Sequence, residues 1–117
     1  MSSHHPRVQI EYTPEFKRNV RELARRYRHI QNDVQAVIEQ LQQGQVLGNQ
    51  IAGTAFTVFK VRVRNSDTRK GKSGGYRLIY YMRTIEKIVL VTIYSKSDQG
   101  DISEKRIQSI LREFEDM

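Results

Sequence analysis

The sequence predicts a single α+β domain, residues 1–117, in which helices pack on a mainly antiparallel four-stranded sheet. The chain is long enough to bury one hydrophobic core but not two. Apolar residues recur at helical spacing in three segments and alternate with polar residues in three others. A seventh segment is apolar at nearly every position. The resulting order is strand, two helices, three strands and one helix. We expect the helices to group against one face of the sheet and to leave the other to basic side chains.

The N-terminal segment predicts a strand followed by a helix. Residues 1–6 are polar and are expected to be disordered. Alternation over residues 8–12 indicates the first strand. Thr13 before Pro14 indicates an N-cap and a first helical position, and apolar spacing continues this helix to about Arg28.

The remaining elements follow from the same patterns. Residues 30–41 carry a second helical stripe that ends at Gly44, so the first two helices are expected to form an antiparallel hairpin. Residues 45–55 predict a packed loop. Residues 88–94 are apolar on both faces and indicate the most buried strand. A last helix is predicted to begin after a cap at Ser103.

The positive charge of the chain is concentrated in residues 57–83. This segment holds eight basic residues and one acid, a net charge of +7 that equals the net charge of the whole chain. Lys60, Arg62 and Arg64 alternate with apolar residues on one predicted strand, so they project from one face about 7 Å apart. Arg77 on the next strand joins them only if the pairing register turns it to the same face. Such a concentration of charge predicts a polyanionic partner, most commonly nucleic acid.

The composition excludes several classes of protein. The absence of cysteine excludes disulfides, thiolate catalysis and cysteine-ligated zinc. No apolar run approaches the roughly 20 residues that span a bilayer, and the start of the chain lacks the pattern of a signal peptide. We therefore expect a cytoplasmic protein that has no membrane partner and needs no cofactor or metal.

Several stretches of the sequence carry a resemblance to a known family. The first is Tyr-Thr-Pro-Glu-Phe at residues 12–16, and the most specific is FKVRVR at residues 59–64 followed by residues 70–81 with their Gly-Tyr-Arg motif. Residues 93–103 complete the pattern. Over almost its whole length the chain resembles the RelE/ParE superfamily of bacterial toxins from type II toxin-antitoxin systems, and its closing stretch is typical of the HigB-like or RelE-like branch.

The resemblance implies a toxin that enters the ribosomal A site, cleaves the mRNA there and is held inactive by a cognate antitoxin. It implies catalytic roles for Lys60 and Arg62 on one strand and for Arg77 in the Gly-Tyr-Arg motif, and it gives Arg64 a further basic position. Well-known members also carry an arginine in the loop after the last strand and a tyrosine near the final helix. Here that loop offers Lys96 and aspartates instead, and the last helix has no tyrosine. The resemblance therefore leaves the proton-transfer groups unassigned.

Metal-independent RNA cleavage uses the 2′-hydroxyl of the substrate as nucleophile, so the enzyme must stabilise phosphorane charge and assist proton transfer. Arg62 and Arg77 are assigned to the charge, because the planar guanidinium matches phosphate oxygens. Lys60, one of several clustered cations, is a candidate general base. Lys96 is the first candidate acid and Tyr94 the second, although a packed sheet tyrosine is the simpler interpretation of Tyr94.

Further basic residues are predicted to bind RNA. Arg69, Lys70 and Lys72 lie in the glycine-rich loop between the two hairpin strands and suit contacts with the phosphate backbone of rRNA or mRNA. Arg64 and Arg83, on the flanking strands, complete the predicted RNA-binding set.

Two other functions compete with the endonuclease. One is a gyrase-poisoning toxin of the ParE branch, which binds a protein target and cuts nothing itself. The other is a ribosome- or RNA-binding domain without catalysis. The convergence of Lys60, Arg62 and Arg77 on one face favours the endonuclease, because a gyrase poison needs no cluster that handles phosphate.

Overall fold

The structure is a computed structural model that describes residues 7–68 and 74–117. Residues 1–6, expected to be disordered, lie outside the described residues. The elements are β1 (Gln9–Tyr12), α1 (Pro14–Ala24), α2 (Ile30–Gln42), β2 (Asn49–Gln50), β3 (Val58–Val63), β4 (Tyr76–Thr84), β5 (Lys87–Ser95) and α3 (Glu104–Glu115). The strands form one mixed sheet in the order β1-β5-β4-β3-β2, in which β1 runs parallel to β5 and the other pairs are antiparallel. The predicted α+β class is confirmed.

The start of α1 follows the predicted capping pattern. The Thr13 hydroxyl accepts a hydrogen bond from the Phe16 backbone N–H at 3.0 Å and donates one to the Val91 carbonyl at 2.7 Å. This buried threonine therefore caps the helix and fixes it to β5.

The end of α1 differs from the prediction, because the helix stops at Ala24 rather than near Arg28. The N–H groups of Arg25 and Arg26 bond to carbonyls three residues earlier, which tightens the last turn and directs the chain into α2. The α2 helix ends close to the predicted Gly44, whose φ of +90° favours glycine.

The sheet has five strands rather than the predicted four, because residues 45–55 contain β2. Its two residues pair with Lys60 and Phe59 of β3. Gly48, just before β2, has φ +77°, and a Cβ there would lie 2.2 Å from the Lys60 carbonyl oxygen. The close approach of the two backbones therefore requires glycine. A two-residue strand is too short for alternation to reveal.

Two hydrophobic clusters lie on opposite faces of the sheet, since they draw on alternate residues of the same strands. On one face α1 and α2 cover the cluster that contains Leu78 and Tyr80. On the other face α3 covers the cluster that contains Ile79 and Val89. The expectation that all helices group against one face was wrong: α3 is amphipathic like α1, and the second apolar face of β4 and β5 gives it a surface to bury.

Candidate functional site

The predicted catalytic residues of the hairpin lie on the α3 face of the sheet, beyond the part that α3 covers. Arg62 pairs with Arg77 across β3 and β4, and Arg77 pairs with Tyr94 across β4 and β5. Lys60 projects from the same face of β3, two residues from Arg62. The condition that the sequence left open, the register that brings Arg77 beside the basic row, is therefore met.

A β-bulge in β5 turns Tyr94 toward this row. Tyr80 pairs with Leu90 and Ile79 pairs with Thr92, which leaves Val91 as an extra residue. After the bulge the alternation changes phase, so Tyr94 packs in the same cluster as Val91. Without the extra residue Tyr94 would point to the α1 and α2 face.

Arg77 is buried at 6% exposure and is held by backbone carbonyls. Its Nη1 donates to the Gly74 carbonyl at 3.2 Å and to the Tyr76 carbonyl at 3.3 Å. Gly75 makes this turn possible, since it has φ +81° and a Cβ there would lie 2.6 Å from the Val63 carbonyl oxygen. The guanidinium is therefore preorganised by the backbone that enters β4.

The loop after β5 adds two lysine-carboxylate contacts to the site. Lys60 Nζ donates to Asp101 Oδ1 at 3.1 Å, and Lys96 Nζ lies 3.6 Å from the same oxygen. The hydrogen bond from Lys60, followed by the charges of Lys60 and Lys96, holds the pKa of Asp101 below its usual range. The Lys96 backbone N–H also bonds to the Gly75 carbonyl at 2.9 Å, which fixes the start of this loop beside the turn that holds Arg77.

Tyr94 presents a buried hydroxyl to this group. The residue is 5% exposed, and its Oη makes no hydrogen bond of ordinary geometry within the parts of the chain that the structure describes. Burial raises the pKa of Tyr94, while the nearby Ile102 backbone and the charges of Lys60 and Arg77 oppose the rise. An unpaired buried hydroxyl is costly, so such a group is commonly found where a ligand or a reaction uses it.

The outer basic residues of the row differ in their surroundings. Arg62 and Arg64 are exposed, and over residues 7–68 and 74–117 neither lies within 4 Å of a carboxylate. Arg83 lies at the opposite end of β4, where it pairs with Glu115 at 2.9 Å and Glu11 at 3.4 Å. The structure therefore places Arg62 in the row opposite Arg77, puts Arg64 just beyond the end of β3, and leaves Arg83 outside the site.

The predicted RNA contacts Arg69, Lys70 and Lys72 lie outside the described residues. The segment that leads to them is tied to the start of α2. Asp67 accepts a hydrogen bond from the His29 backbone N–H at 2.8 Å and lies 2.6 Å from His29 Nδ1.

Asp101 is the site residue that sequence reasoning did not assign a role. The sequence shows it only as one of the aspartates of the loop after the last strand, and no pattern in the loop distinguishes Asp101 from Asp98. In the structure Asp98 turns away and pairs with Arg26, in the turn that follows α1. Only the fold separates the two aspartates.

The described residues hold neither a cluster of metal-ligating side chains nor a helix that could span a membrane. No three histidine, aspartate or glutamate side chains gather there in a group that could hold a metal ion. None of the helices described is long and apolar enough to cross a membrane.

Comparison with known proteins identifies a family. A family model described as the RelE toxin of the RelE / RelB toxin-antitoxin system matches residues 13–114. Among curated proteins no match is found. The matched region begins at the cap of α1, ends in the last turn of α3 and includes every residue of the site.

Proposed function

This chain belongs to the RelE toxin family of toxin-antitoxin systems, and from that premise we propose that it is a ribosome-dependent mRNA endonuclease. It inhibits translation by cleaving mRNA in the ribosomal A site. The observation that carries the proposal is the row of Arg62, Arg77 and Tyr94 across three strands, with Lys60 and Lys96 beside it.

The proposed reaction needs no metal. The 2′-oxygen of the RNA attacks the adjacent phosphorus, the bond from phosphorus to the 5′-oxygen breaks, and the products are a 2′,3′-cyclic phosphate and a 5′-hydroxyl. The 2′-hydroxyl gives up one proton to a base, and the leaving 5′-oxygen takes one from an acid. Negative charge on the non-bridging oxygens grows in between, so fixed cations at that position accelerate the step.

Arg77 and Arg62 supply that charge in our proposal. Arg77 is held in place by backbone carbonyls, so little reorganisation is needed when the phosphorane forms. Arg62 lies opposite it with an exposed guanidinium that is free to meet a phosphate oxygen. Arg64 extends the positive surface toward the RNA on either side of the cleaved bond.

Proton transfer is assigned to the groups that border the row. Lys96 is the proposed acid, and Tyr94 is the second candidate because its hydroxyl is buried and unpaired beside Lys60. A base needs a free lone pair, whereas Lys60 Nζ donates to Asp101 in the free protein. This contact favours an electrostatic role for Lys60 over the base role that its clustering suggested.

The partners follow from the same proposal. The ribosome and its mRNA are the target, a cognate antitoxin neutralises the protein, and the reaction takes place in the cytoplasm. Arg69, Lys70 and Lys72 remain proposed backbone contacts, and Arg83 a more distant one.

The test is primer extension on a defined mRNA in a reconstituted translation reaction, with and without ribosomes. We expect cuts at fixed codon positions that require ribosomes and disappear in Arg77→Ala. The control is Arg112→Ala, which removes an exposed arginine of α3 outside the row and should leave the cuts unchanged. Absence of cuts with the unaltered protein would refute the proposal, and a gyrase supercoiling assay would then test the ParE-like alternative.

A further inference from the structure

The Nζ atoms of Lys60 and Lys96 lie near the same carboxylate oxygen, and we call this pair of lysines the cradle. They come from β3 and from the turn after β5, and both approach Asp101 Oδ1, at 3.1 and 3.6 Å. Each lysine side chain is 34% exposed and the Asp101 side chain is 62% exposed. The cradle is therefore open to solvent and accessible to an anion from outside.

The hydroxyl of Tyr94 adds a second, independent sign of a ligand. The residue is 5% exposed, and within the described parts of the chain its oxygen makes no hydrogen bond of ordinary geometry, although the Ile102 backbone approaches it. Tyr94 pairs with Arg77 across β4 and β5, on the face of the sheet from which Lys60 also projects. An oxygen of a ligand placed in the cradle would give this hydroxyl the partner that the protein does not supply.

Asp101 is placed to leave the cradle at little cost. It belongs to residues 96–103, which contain no helix or strand, and its neighbour Gly100 has open space around it. The same loop stays anchored without Asp101, because Asp98 pairs with Arg26 and the Ser103 hydroxyl caps α3. A half-exposed ion pair is a weak contact that another anion can replace.

We propose that Lys60 and Lys96 form a phosphodiester-binding subsite, and that Asp101 occupies this subsite in the free protein and leaves it when an RNA phosphate enters. The identity of the ligand as RNA rests on the proposed function. Arg62 and Arg77 lie on the same face of the hairpin as Lys60, and a phosphate has more oxygens than a carboxylate with which to meet cations on that face.

A second role for Asp101, as the general base, is less compatible with the geometry. Both lysines contact the same carboxylate oxygen, and the resulting low pKa makes Asp101 a weak proton acceptor. The two roles predict opposite effects of removing the charge. If Asp101 occupies the subsite, removing its charge strengthens RNA binding. If Asp101 is the base, removing its charge leaves RNA binding unchanged and slows cleavage.

The test compares Asp101→Asn with Asp98→Asn, since both variants remove one negative charge from the same loop. Binding is measured by fluorescence anisotropy at fixed ionic strength, with a short single-stranded RNA that carries 2′-O-methyl groups and cannot be cleaved. Asp101 competes with RNA through a partly exposed ion pair, and losing such a competitor corresponds to about 2- to 5-fold tighter binding. We expect Asp101→Asn to gain this much RNA affinity beyond any gain of Asp98→Asn. Adding Lys96→Gln to the Asp101→Asn variant should abolish the gain.

Equal affinities of the two variants, or weaker binding by Asp101→Asn, would overturn the proposal. So would a loss of ribosome-dependent cleavage by Asp101→Asn at unchanged RNA affinity, because that result identifies a general base. The binding measurement does not depend on cleavage. A protein that fails to cut mRNA therefore refutes the endonuclease and still reports whether Asp101 competes with RNA.

Discussion

Arg62 and Arg77 lie directly opposite each other on β3 and β4, but Arg62 is exposed whereas Arg77 is buried and bonded to the carbonyls of Gly74 and Tyr76. Two like charges in direct cross-strand pairing destabilise a sheet. Stability within the strands themselves therefore does not explain why two arginines lie opposite each other here. The arrangement suits a site that binds an anion.

The first prediction concerns the shape of these two cations. Arg77→Lys keeps the charge but loses the planar fork that bonds the backbone and a phosphate together. We expect cleavage to fall by about 100-fold, and Arg62→Lys to cause a clearly smaller loss because Arg62 has no backbone partners to keep. Single-turnover cleavage on programmed ribosomes measures both, with thermal unfolding as the control for folding. Equal losses would contradict the preorganised role of Arg77.

The second prediction separates the hydroxyl of Tyr94 from its ring. Tyr94→Phe removes a buried oxygen without a partner, so the free energy of unfolding should stay the same or rise by about 1 kcal/mol. Cleavage should fall by about 100-fold if the hydroxyl transfers a proton. Tyr76→Phe is the matched control, because its buried hydroxyl also lacks a partner in the described chain but lies in the other core cluster. Its cleavage should be unchanged; full activity of Tyr94→Phe would eliminate Tyr94 as the acid.

The third prediction tests the turn that places Arg77. Gly75→Ala puts a side chain at φ +81° and 2.6 Å from the Val63 carbonyl oxygen. We expect the free energy of unfolding to fall by about 2 kcal/mol or more, measured by urea denaturation. Gly100→Ala, with no atom within 4 Å of the added carbon, should change it by less than about 0.5 kcal/mol. Equal stability of the two variants would contradict the close approach of Gly75 to the Val63 carbonyl.

The fourth prediction concerns acid stability. Hydrogen bonds from His29 hold the pKa of Asp67 below its ordinary value of 3.8. A folded pKa below the unfolded one means that Asp67 stabilises the protein above about pH 4 and that this contribution is lost as the pH falls through the folded pKa. Asp67→Asn should lower the urea midpoint at pH 7 by more than it does at pH 2.5. An equal difference at both pH values would argue against this linkage.

The fifth prediction addresses Lys60. Lys60→Arg keeps a cation that can meet Asp101 or a phosphate but cannot act as a base near neutral pH. Because Lys60 Nζ donates to a carboxylate in the free protein, we expect cleavage to stay within about 10-fold of the unaltered protein, whereas Lys60→Gln should lose most of it. Loss of activity in Lys60→Arg as severe as in Lys60→Gln would restore the base hypothesis.

Much of the fold was predictable from short-range patterns. Thr13 and Ser103 were predicted caps, and both accept the expected backbone hydrogen bonds. The strands of the basic hairpin and the stripe of α2 also followed from their periodicity. The two-residue β2 did not, since its pairing depends on Gly48 lying against the backbone of Lys60.

The site was predictable in its residue types but not in its assembly. Alternation alone puts Tyr94 on the same face as Leu90, and only the extra residue Val91 reverses this. Likewise, nothing in the loop distinguishes Asp101, which meets Lys60, from Asp98, which meets Arg26.

Short-range sequence patterns were enough to predict the α+β class, the caps and the concentration of charge in residues 57–83, because each depends on residues close together in the chain. Tertiary structure decided which face α3 covers, which way Tyr94 points, and that Asp101 meets a lysine 41 residues away. Those outcomes depend on strand register and on packing between distant segments. Both are properties of the whole sheet, which no local pattern encodes.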